Sequence, residues 1–357
     1  MTNCSTNANL VMTRLYPFIF DLNLHELVWG GNRLCQLKGL PAKETDHIGE
    51  SWEVSAVPGS ESVIVNGSLK GKKLTEIVSE YKERLLGKSV FNYYGGEFPL
   101  LVKFIDAASD LSIQVHPDDE LARKRHNSFG KNEMWYVMDS KEEGKLLCGF
   151  NENLTKEEYR KRIADNTICD VLQQYAVERG DVFYIPAGRV HAICGGTLVA
   201  EVQQSSNITY RLYDYGRLGL DGKPRELHTE LAEDAIDYKV SESVQSMYDR
   251  KLNWPVAVVE CPYFSVKLLE INRGFHRKLF KYDSFIIYMC LSGNCKIKVQ
   301  SCIDNGELPE MTELSLSAGN SCLVPAEVAD VMLEPDNEYG MTRLLEVYID
   351  NKHFKRD

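Results

Sequence analysis

Residues 180–191 have the sequence GDVFYIPAGRVH, and this stretch decides which fold we expect. Its glycine precedes five residues typical of a strand, which are followed by Pro-x-Gly, two residues and a histidine. Residues 319–330, GNSCLVPAEVAD, keep the glycine, the strand and the proline, but have Asp330 where the first copy has His191. We interpret the two segments as a repeated strand-and-turn unit, in which only the first copy binds metal.

Short β-type runs surround both copies of the repeat. They are bounded by Gly, Pro, Asn and Asp, a pattern typical of antiparallel sandwiches or barrels and not of alternating βα units. Two helical intervals interrupt them. Apolar residues at helical spacing predict a helix over residues 74–87, and a capping box of Thr155 and Glu158 opens a second helical interval over residues 155–174. The sequence therefore predicts a mainly β protein with short helical insertions.

The distribution of polar residues suggests two domains. Residues 233–254 are polar and charged, and we interpret them as a connector. We expect a first, metal-binding domain over residues 1–240 and a second β domain, without the metal ligands, over residues 255–357. The second domain is expected to pack against the first.

Composition narrows the classes of function. The chain has 357 residues, 43% of them hydrophobic, and a net charge of −11, so it has no basic field to hold nucleic acid or an anionic membrane. A small molecule is therefore the expected partner, and the oligomeric state is not predicted.

The sequence also bears on where the protein is located. No run approaches the eighteen apolar residues of a membrane span, and residues 1–9 lack the pattern of a signal peptide. Ten cysteines without Cys-x-x-Cys spacing fit a reducing, cytoplasmic location.

A polar strand face carries the first candidate ligands. Residues 112–117, SIQVHP, alternate so that Ser112, Gln114 and His116 share one face of a strand. Lys131 and Glu133 are two residues apart, and on a strand they also share a side.

Alone, Glu133 is explained more simply as a surface carboxylate, and His116 as a hydrogen-bonded core histidine. Taken together, Gln114, His116, Glu133 and His191 supply two imidazoles, a carboxylate and an amide oxygen from three neighbouring strands. This set suits a divalent metal with coordination left open for a substrate. The basic run at residues 123–126 is interpreted as a solvated face or as an anion-attracting rim.

Several segments, in order along the chain, resemble the type I mannose-6-phosphate isomerases of the cupin superfamily. Residues 180–191 resemble the second cupin motif, and QVHP at residues 114–117 followed by Glu133 resembles the first. His191 follows Glu133 after 58 residues, as in the compact bacterial form of the family. The remaining similar segments are GESWE (49–53), PLLVK (99–103), GKNEMWY (130–136) and YRLYDY (210–215).

The resemblance implies a fold and a set of site residues. The fold would be two cupin-type jelly-roll β-barrels with short helical insertions. The zinc ligands would be Gln114, His116, Glu133 and His191. The resemblance further places the active-site arginine at Arg211 and substrate contacts at Lys131 and Ser112.

The resemblance also implies the reaction, an interconversion of mannose 6-phosphate and fructose 6-phosphate through proton transfer between C1 and C2. A guanidinium at Arg211 suits the phosphate. The alternative for Arg211 is a cross-strand pair with Glu201, which is itself a candidate substrate contact. Lys131, Glu201 and a metal-bound hydroxide remain open as the base. Another metal cupin enzyme and a non-catalytic sugar-binding cupin are the alternative functions.

Overall fold

The structure of the chain is a computed structural model that describes residues 14–142, 144–240, 244–303, 308–336 and 340–354. Residues 1–9, which underlie the expectation about a signal peptide, lie outside these ranges, as does part of the connector at residues 241–243. Among the described residues, no helix has the length and apolar character needed to cross a membrane.

Residues before 214 form two antiparallel sheets. One has six strands in the order β1-β2-β3-β10-β5-β8, and the other has five in the order β11-β4-β9-β6-β7. The strands are β1 (Leu24–Gly31), β2 (Ile48–Val54), β3 (Leu100–Ala107), β4 (Ile113–Val115), β5 (Glu133–Ser140), β6 (Lys145–Phe150), β7 (Leu172–Ala176), β8 (Val182–Ile185), β9 (His191–Ile193), β10 (Thr197–Gln204) and β11 (Tyr210–Tyr213).

Residues after 254 form a second pair of sheets. One has the order β12-β13-β20-β15-β18, and the other has the order β14-β19-β16-β17. The strands are β12 (Pro255–Glu260), β13 (Ser265–Ile271), β14 (Phe275–Lys278), β15 (Ile286–Ser292), β16 (Asn294–Cys302), β17 (Glu313–Ser317), β18 (Ser321–Val324), β19 (Val328–Pro335) and β20 (Thr342–Tyr348). The mainly β, cupin-type architecture is thereby confirmed, although neither pair of sheets closes into a barrel within the described residues. We call the two pairs of sheets the first and second units.

Helices connect the strands of the first unit, and one more helix follows its last strand. They are α1 (Arg33–Leu37), α2 (Leu74–Tyr81), α3 (Glu83–Leu86), α4 (Lys88–Tyr94), α5 (Asp119–His126), α6 (Lys156–Ala164) and α7 (Thr229–Ala232). Within the described ranges, short 3-10 helices span Ile168–Val171, Phe280–Tyr282 and Asn351–His353.

The first predicted helical interval ends at Gly87, as the sequence indicates, because this residue adopts a φ of 90° that ends α3 and then directly precedes α4. A positive φ of 47° at Lys82 divides the interval into α2 and α3. The second was expected to reach residue 174, but α6 ends at Ala164. Asn166 has a left-handed φ of 56°, which breaks the helix, and β7 begins at Leu172.

The core has an internal part in each unit and a part that the units share. The internal part of the first unit lies between its two sheets and contains Trp135 and Phe183. The shared part joins the outer face of the six-stranded sheet and helices α2–α4 to the β12-β13-β20-β15-β18 sheet. Strand β10 is buried along its whole length, because one face lies in the shared core and the other faces the unit's interior.

The start of the described chain and one buried carboxylate tie the units together. Phe18 exchanges hydrogen bonds with Leu323 in β18, at 2.8 and 3.0 Å, so residues at the start of the described chain extend a sheet of the second unit. Glu327, which is 6% exposed, accepts hydrogen bonds from the backbone of Leu15 and from the guanidinium of Arg84. The connection between the units therefore combines apolar packing with a buried carboxylate.

Candidate metal centre and active-site cavity

Three side chains that can bind a metal meet between the sheets of the first unit. His116, Glu133 and His191 are almost completely buried, and their ligand atoms all lie within 4.8 Å of one another. His116 follows β4, and His191 begins the neighbouring β9. Glu133 begins β5, which belongs to the facing sheet, so the expectation of three neighbouring strands was wrong. The site spans the gap between two sheets instead.

The two imidazoles have their Nε2 atoms available. Nδ1 of His116 lies 2.9 Å from the carbonyl of Ile208, and Nδ1 of His191 lies 2.8 Å from the carbonyl of Arg189. A carbonyl can only accept, so Nδ1 carries the proton in each ring and Nε2 keeps its lone pair. Burial lowers the pKa of His191 to about 3 and that of His116 well below its usual value, and the charge of Lys131 adds to both shifts. Both rings are therefore neutral, as metal binding requires.

The carboxylate of Glu133 is fully buried and lies beside a lysine and the two imidazoles. It is 0% exposed, yet neither oxygen has a hydrogen bond of good geometry. Oε1 lies 3.2 Å from the lone pair of His191 Nε2, and Oε2 lies 2.9 Å from the ammonium of Lys131. The same ammonium lies 3.0 Å from Nε2 of His116. Carboxylate oxygens and imidazole lone pairs thus lie close together in a buried site, where positive charge stabilises them.

Gln114 completes the predicted ligand set. It pairs with His191 across β4 and β9, and its Nε2 lies 3.3 Å from Nε2 of that histidine. Rotation of the amide by 180° exchanges its nitrogen and oxygen and presents an acceptor at the same place. Two imidazoles, a carboxylate and an amide oxygen form a donor set that fits a divalent ion such as zinc. The residues present therefore fit a bound metal.

A cavity of about 360 Å³ opens beside the metal-binding residues. Five of the residues predicted to form the site line it: Ser112, Gln114, Lys131, Glu201 and Arg211. The basic run at residues 123–126 is not among the described residues that line the cavity; Arg125 instead binds Asp234 on the surface, at 2.6 Å. The interpretation of that run as a solvated face is the better one.

Arg211 is not the cross-strand partner of Glu201. Its strand, β11, pairs with β4, and the guanidinium donates from Nε to Ser112 Oγ at 3.2 Å and from Nη1 to the carbonyl of Glu226 at 2.8 Å. Glu201 lies opposite Lys103 and Trp135, and accepts a 2.8 Å hydrogen bond from Nε1 of Trp135. Burial raises the pKa of Glu201, and the nearby Glu133 raises it further.

Sequence reasoning missed a second lysine in the cavity wall. Lys103 is 4% exposed and lies 3.2 Å from Glu50 and 3.5 Å from Glu201. Its ammonium stacks over the ring of Trp52, 5.0 Å from the centroid, and His25 stacks on the same ring at 4.3 Å. The indication was present in the sequence, because Lys103 is a lone cation within the apolar run of residues 100–105.

The second unit has no comparable metal centre among its described residues. Asp330, which the repeat aligns with His191, turns away from the unit's interior and accepts a hydrogen bond from Ser301 at 2.7 Å. The next residue, Val331, lies in the apolar core instead. Among the described residues, no group of three potential ligands forms around Asp330.

Comparison with known proteins assigns the fold and the site to a class. Residues 18–160 match the catalytic domain of type I phosphomannose isomerase. A probable mannose-6-phosphate isomerase of Bacillus subtilis is 35% identical over 91% of this chain and 98% of its own length. The mannose-6-phosphate isomerase of Streptococcus mutans is 32% identical over 90% of this chain and 96% of its own length.

A solved structure of a similarly named protein also superimposes on this chain. The crystal structure of a mannose 6-phosphate isomerase from Bacillus subtilis superimposes with a TM-score of 0.80 at 31% identity, and the match covers 94% of this chain and 99% of that one. The site and the fold define a metal-binding β protein of the cupin type. The chain belongs to the type I mannose-6-phosphate isomerase family.

Proposed function

We propose that the chain is a metal-dependent aldose-ketose isomerase that interconverts mannose 6-phosphate and fructose 6-phosphate. The observation that carries the proposal is the junction of the buried His116, Glu133 and His191 with a cavity that also holds Lys131 and Arg211. The two relatives that this chain matches over almost their whole length are both named as mannose-6-phosphate isomerases, one of them as a probable one. A sugar phosphate is therefore the proposed ligand.

Zinc is the proposed metal, held by Gln114, His116, Glu133 and His191. The set contains one carboxylate, so a divalent ion would keep a formal charge near +1. When bound, the ion supplies Lewis-acid stabilisation of the negative charge that develops on the sugar oxygens. The protonated Nδ1 atoms of the two imidazoles fix the ring orientations through backbone carbonyls.

Two buried groups of this chain are placed to move the proton between C1 and C2. Lys131 is the first choice, because its Nζ lies at the cavity wall within 3.0 Å of His116 Nε2. Glu201 is the alternative, since burial and the charge of Glu133 raise its pKa and so favour a carboxyl that can take and return a proton. Trp135 would hold the carboxyl of Glu201 in place.

Arg211 is the proposed partner of the substrate's phosphate. It is anchored by Ser112 and by the carbonyl of Glu226, so its planar fork is fixed before any ligand arrives. A guanidinium has donors only, so it serves the phosphate and not the metal. Negative charge would therefore develop on the sugar oxygens at one end of the site, and Arg211 would bind the charged phosphate at the other end.

The experiment is a coupled assay with mannose 6-phosphate before chelation, after chelation and after return of zinc. We expect turnover that disappears with the metal and returns with it. Turnover of another aldose phosphate but not of mannose 6-phosphate would favour a different cupin enzyme. Binding without turnover in the metal-loaded protein would favour a sugar-binding cupin.

We further propose a cytoplasmic protein whose two domains meet between residues 240 and 255. All nine described cysteines are free thiols, which supports a reducing location. Apart from the bridge between Phe18 and Leu323, no strand pairing within the described sheets crosses this boundary. Packing against the first domain is the proposed role of the second.

A further inference from the structure

Arg225 is a second arginine of the cavity wall, and the role given to Arg211 does not account for it. It lies between β11 and α7, and one carboxylate holds it. Its Nε donates to Oδ2 of Asp214 at 2.7 Å, and its Nη2 donates to Oδ1. Asp214 is only 5% exposed and binds Arg217 as well. The guanidinium of Arg225 is therefore fixed in place by a nearly buried partner.

Both cavity arginines keep one nitrogen free for a ligand. Within the part of the chain that the structure describes, Nη1 of Arg225 forms no hydrogen bond, since only Nε and Nη2 are used. Arg211 uses Nε and Nη1 and keeps Nη2. Each nitrogen left over is a donor without a protein acceptor, at the wall of the same cavity.

The positive charges of the two guanidiniums also destabilise each other. Burial is the main cause that lowers the pKa of Arg211, and the charge of Arg225 is the next. On Asp214, burial raises the pKa, but the hydrogen bonds from Arg225 and Arg217 outweigh burial and lower it, so this carboxylate stays charged. One carboxylate shared by two arginines, with Arg211 alongside, leaves the cavity wall with excess positive charge that an anion would neutralise.

We propose that Arg225 is a second phosphate-binding residue, which holds the substrate's phosphate together with Arg211, and that Asp214 is its positioning residue. The inference rests on the proposed function. A phosphate monoester carries a charge of about −1.5 to −2 at pH 7 and offers three acceptor oxygens, which two guanidinium forks can share. The phosphate does not react, so Arg225 contributes to binding of the substrate and of the transition state alike.

The test is steady-state kinetics of Arg225→Gln, with inorganic phosphate as a competing ligand. We expect KM for mannose 6-phosphate to rise ~10- to 100-fold, with kcat within ~3-fold of the native value. The inhibition constant of inorganic phosphate should rise by a similar factor. Asp214→Asn should raise KM less, and Arg225→Lys should fall between Arg225→Gln and the native protein. Arg179→Gln, at an exposed surface arginine, is the control and should leave both constants unchanged.

An unchanged KM and inhibition constant in folded Arg225→Gln would overturn the proposal, as would a fall in kcat with KM unaltered. If Arg225→Gln does not fold, Arg225→Lys keeps the ion pair with Asp214, and native constants in that variant would overturn it as well. If the native protein does not isomerise mannose 6-phosphate, the proposed function fails separately. Calorimetric binding of inorganic phosphate to the native protein and to Arg225→Gln then still decides the role of Arg225.

Discussion

Glu201 and Glu346 occupy equivalent positions in the two units. Each lies between a lysine on one neighbouring strand and an aromatic donor on the other. The lysines are Lys103 and Lys267, and the aromatic residues are Trp135 and Tyr288. Nε1 of the tryptophan donates to Glu201 at 2.8 Å, and the tyrosine hydroxyl donates to Glu346 at 3.0 Å. The relationship extends the short sequence repeat into the interior of both units.

The same alignment shows why the units differ. Two residues before the aromatic donor, the first unit has Glu133 and the second has Ile286. In the second unit, Arg277 donates to both oxygens of Glu346, with Nε at 2.7 Å. A buried ion pair thus lies against Glu346 in the second interior, whereas a cavity opens beside Glu201 in the first.

We therefore predict one metal ion per chain, bound in the first unit. Elemental analysis of the purified protein should give about one equivalent of zinc, because catalytic sites of this kind normally load substantially. Diffraction at the metal edge from a crystal soaked in zinc should place the ion at His116 and His191. A well-occupied ion lined by Asp330 would contradict the prediction.

His191→Ala should lose the metal and the activity while the protein stays folded. The substitution removes one ligand atom from a site of four, and the loss of a ligand lowers metal affinity strongly. His276→Ala is the matched control, because His276 lies near Asp330 in the second unit and outside the cavity. Metal content and circular dichroism should be measured on both variants. Native metal content in His191→Ala would show that the ligand set is wrong.

Arg211→Ala should lower kcat/KM on mannose 6-phosphate without changing the metal content. The loss of a charge-assisted contact to phosphate amounts to about 2–4 kcal/mol of transition-state stabilisation, which is about 30- to 1,000-fold. Arg211→Lys should recover part of the activity, because it restores the charge without the planar fork. Full activity in Arg211→Ala would mean that the phosphate binds elsewhere.

Lys131 and Glu201 can be separated by the exchange of substrate hydrogen with solvent. In D₂O, the native enzyme should incorporate deuterium at the carbon that gains the proton. Lys131→Met should abolish incorporation and lower kcat ~10²- to 10⁴-fold, which is the usual contribution of a general base. Glu201→Gln keeps an acceptor for Trp135 and should retain incorporation. The opposite pattern, measured by proton NMR, would assign the base to Glu201.

Glu327→Gln should destabilise the whole chain. The carboxylate is nearly buried and bonded to Arg84, whose side chain is 26% exposed, so removing its charge should reduce the unfolding free energy by about 2 kcal/mol. Calorimetry should show one lowered transition that includes both units. Glu260→Gln, at an exposed pair with Lys352, is the control and should change little. Two separate transitions would mean that the units are not coupled.

Local patterns in the sequence were enough to predict several strands and the faces on which their side chains lie. Alternation placed Ile113 and Val115 in the core and turned Ser112 and Gln114 to the cavity, as the structure confirms. The capping box of Thr155 and Glu158 does start α6. These features depend on neighbours along the chain, so a single sequence contains the necessary information.

Arrangements that depend on distant residues could not be predicted. Nothing in the spacing shows that Glu133 lies on the sheet opposite His191, because sheet membership depends on how the strands pair. The end of α6 was missed for a local reason. A left-handed φ, as at Asn166, is uncommon for a residue other than glycine, so the residue type alone does not predict that the helix ends there. Arg225 was not predicted as a site residue, because its position at the cavity depends on a contact with Asp214 across a loop.

The hydrogen bonds between Phe18 and Leu323 also bear on how the chain is made. The two residues are 305 positions apart, so a ribosome releases the first long before the second exists. At about 5–20 residues per second, synthesis leaves this segment unpaired for roughly 15 to 60 seconds. The first unit can collapse during that time, but it cannot bury its own beginning. Any chain that terminates early would therefore expose a strand edge, which is a known route to aggregation.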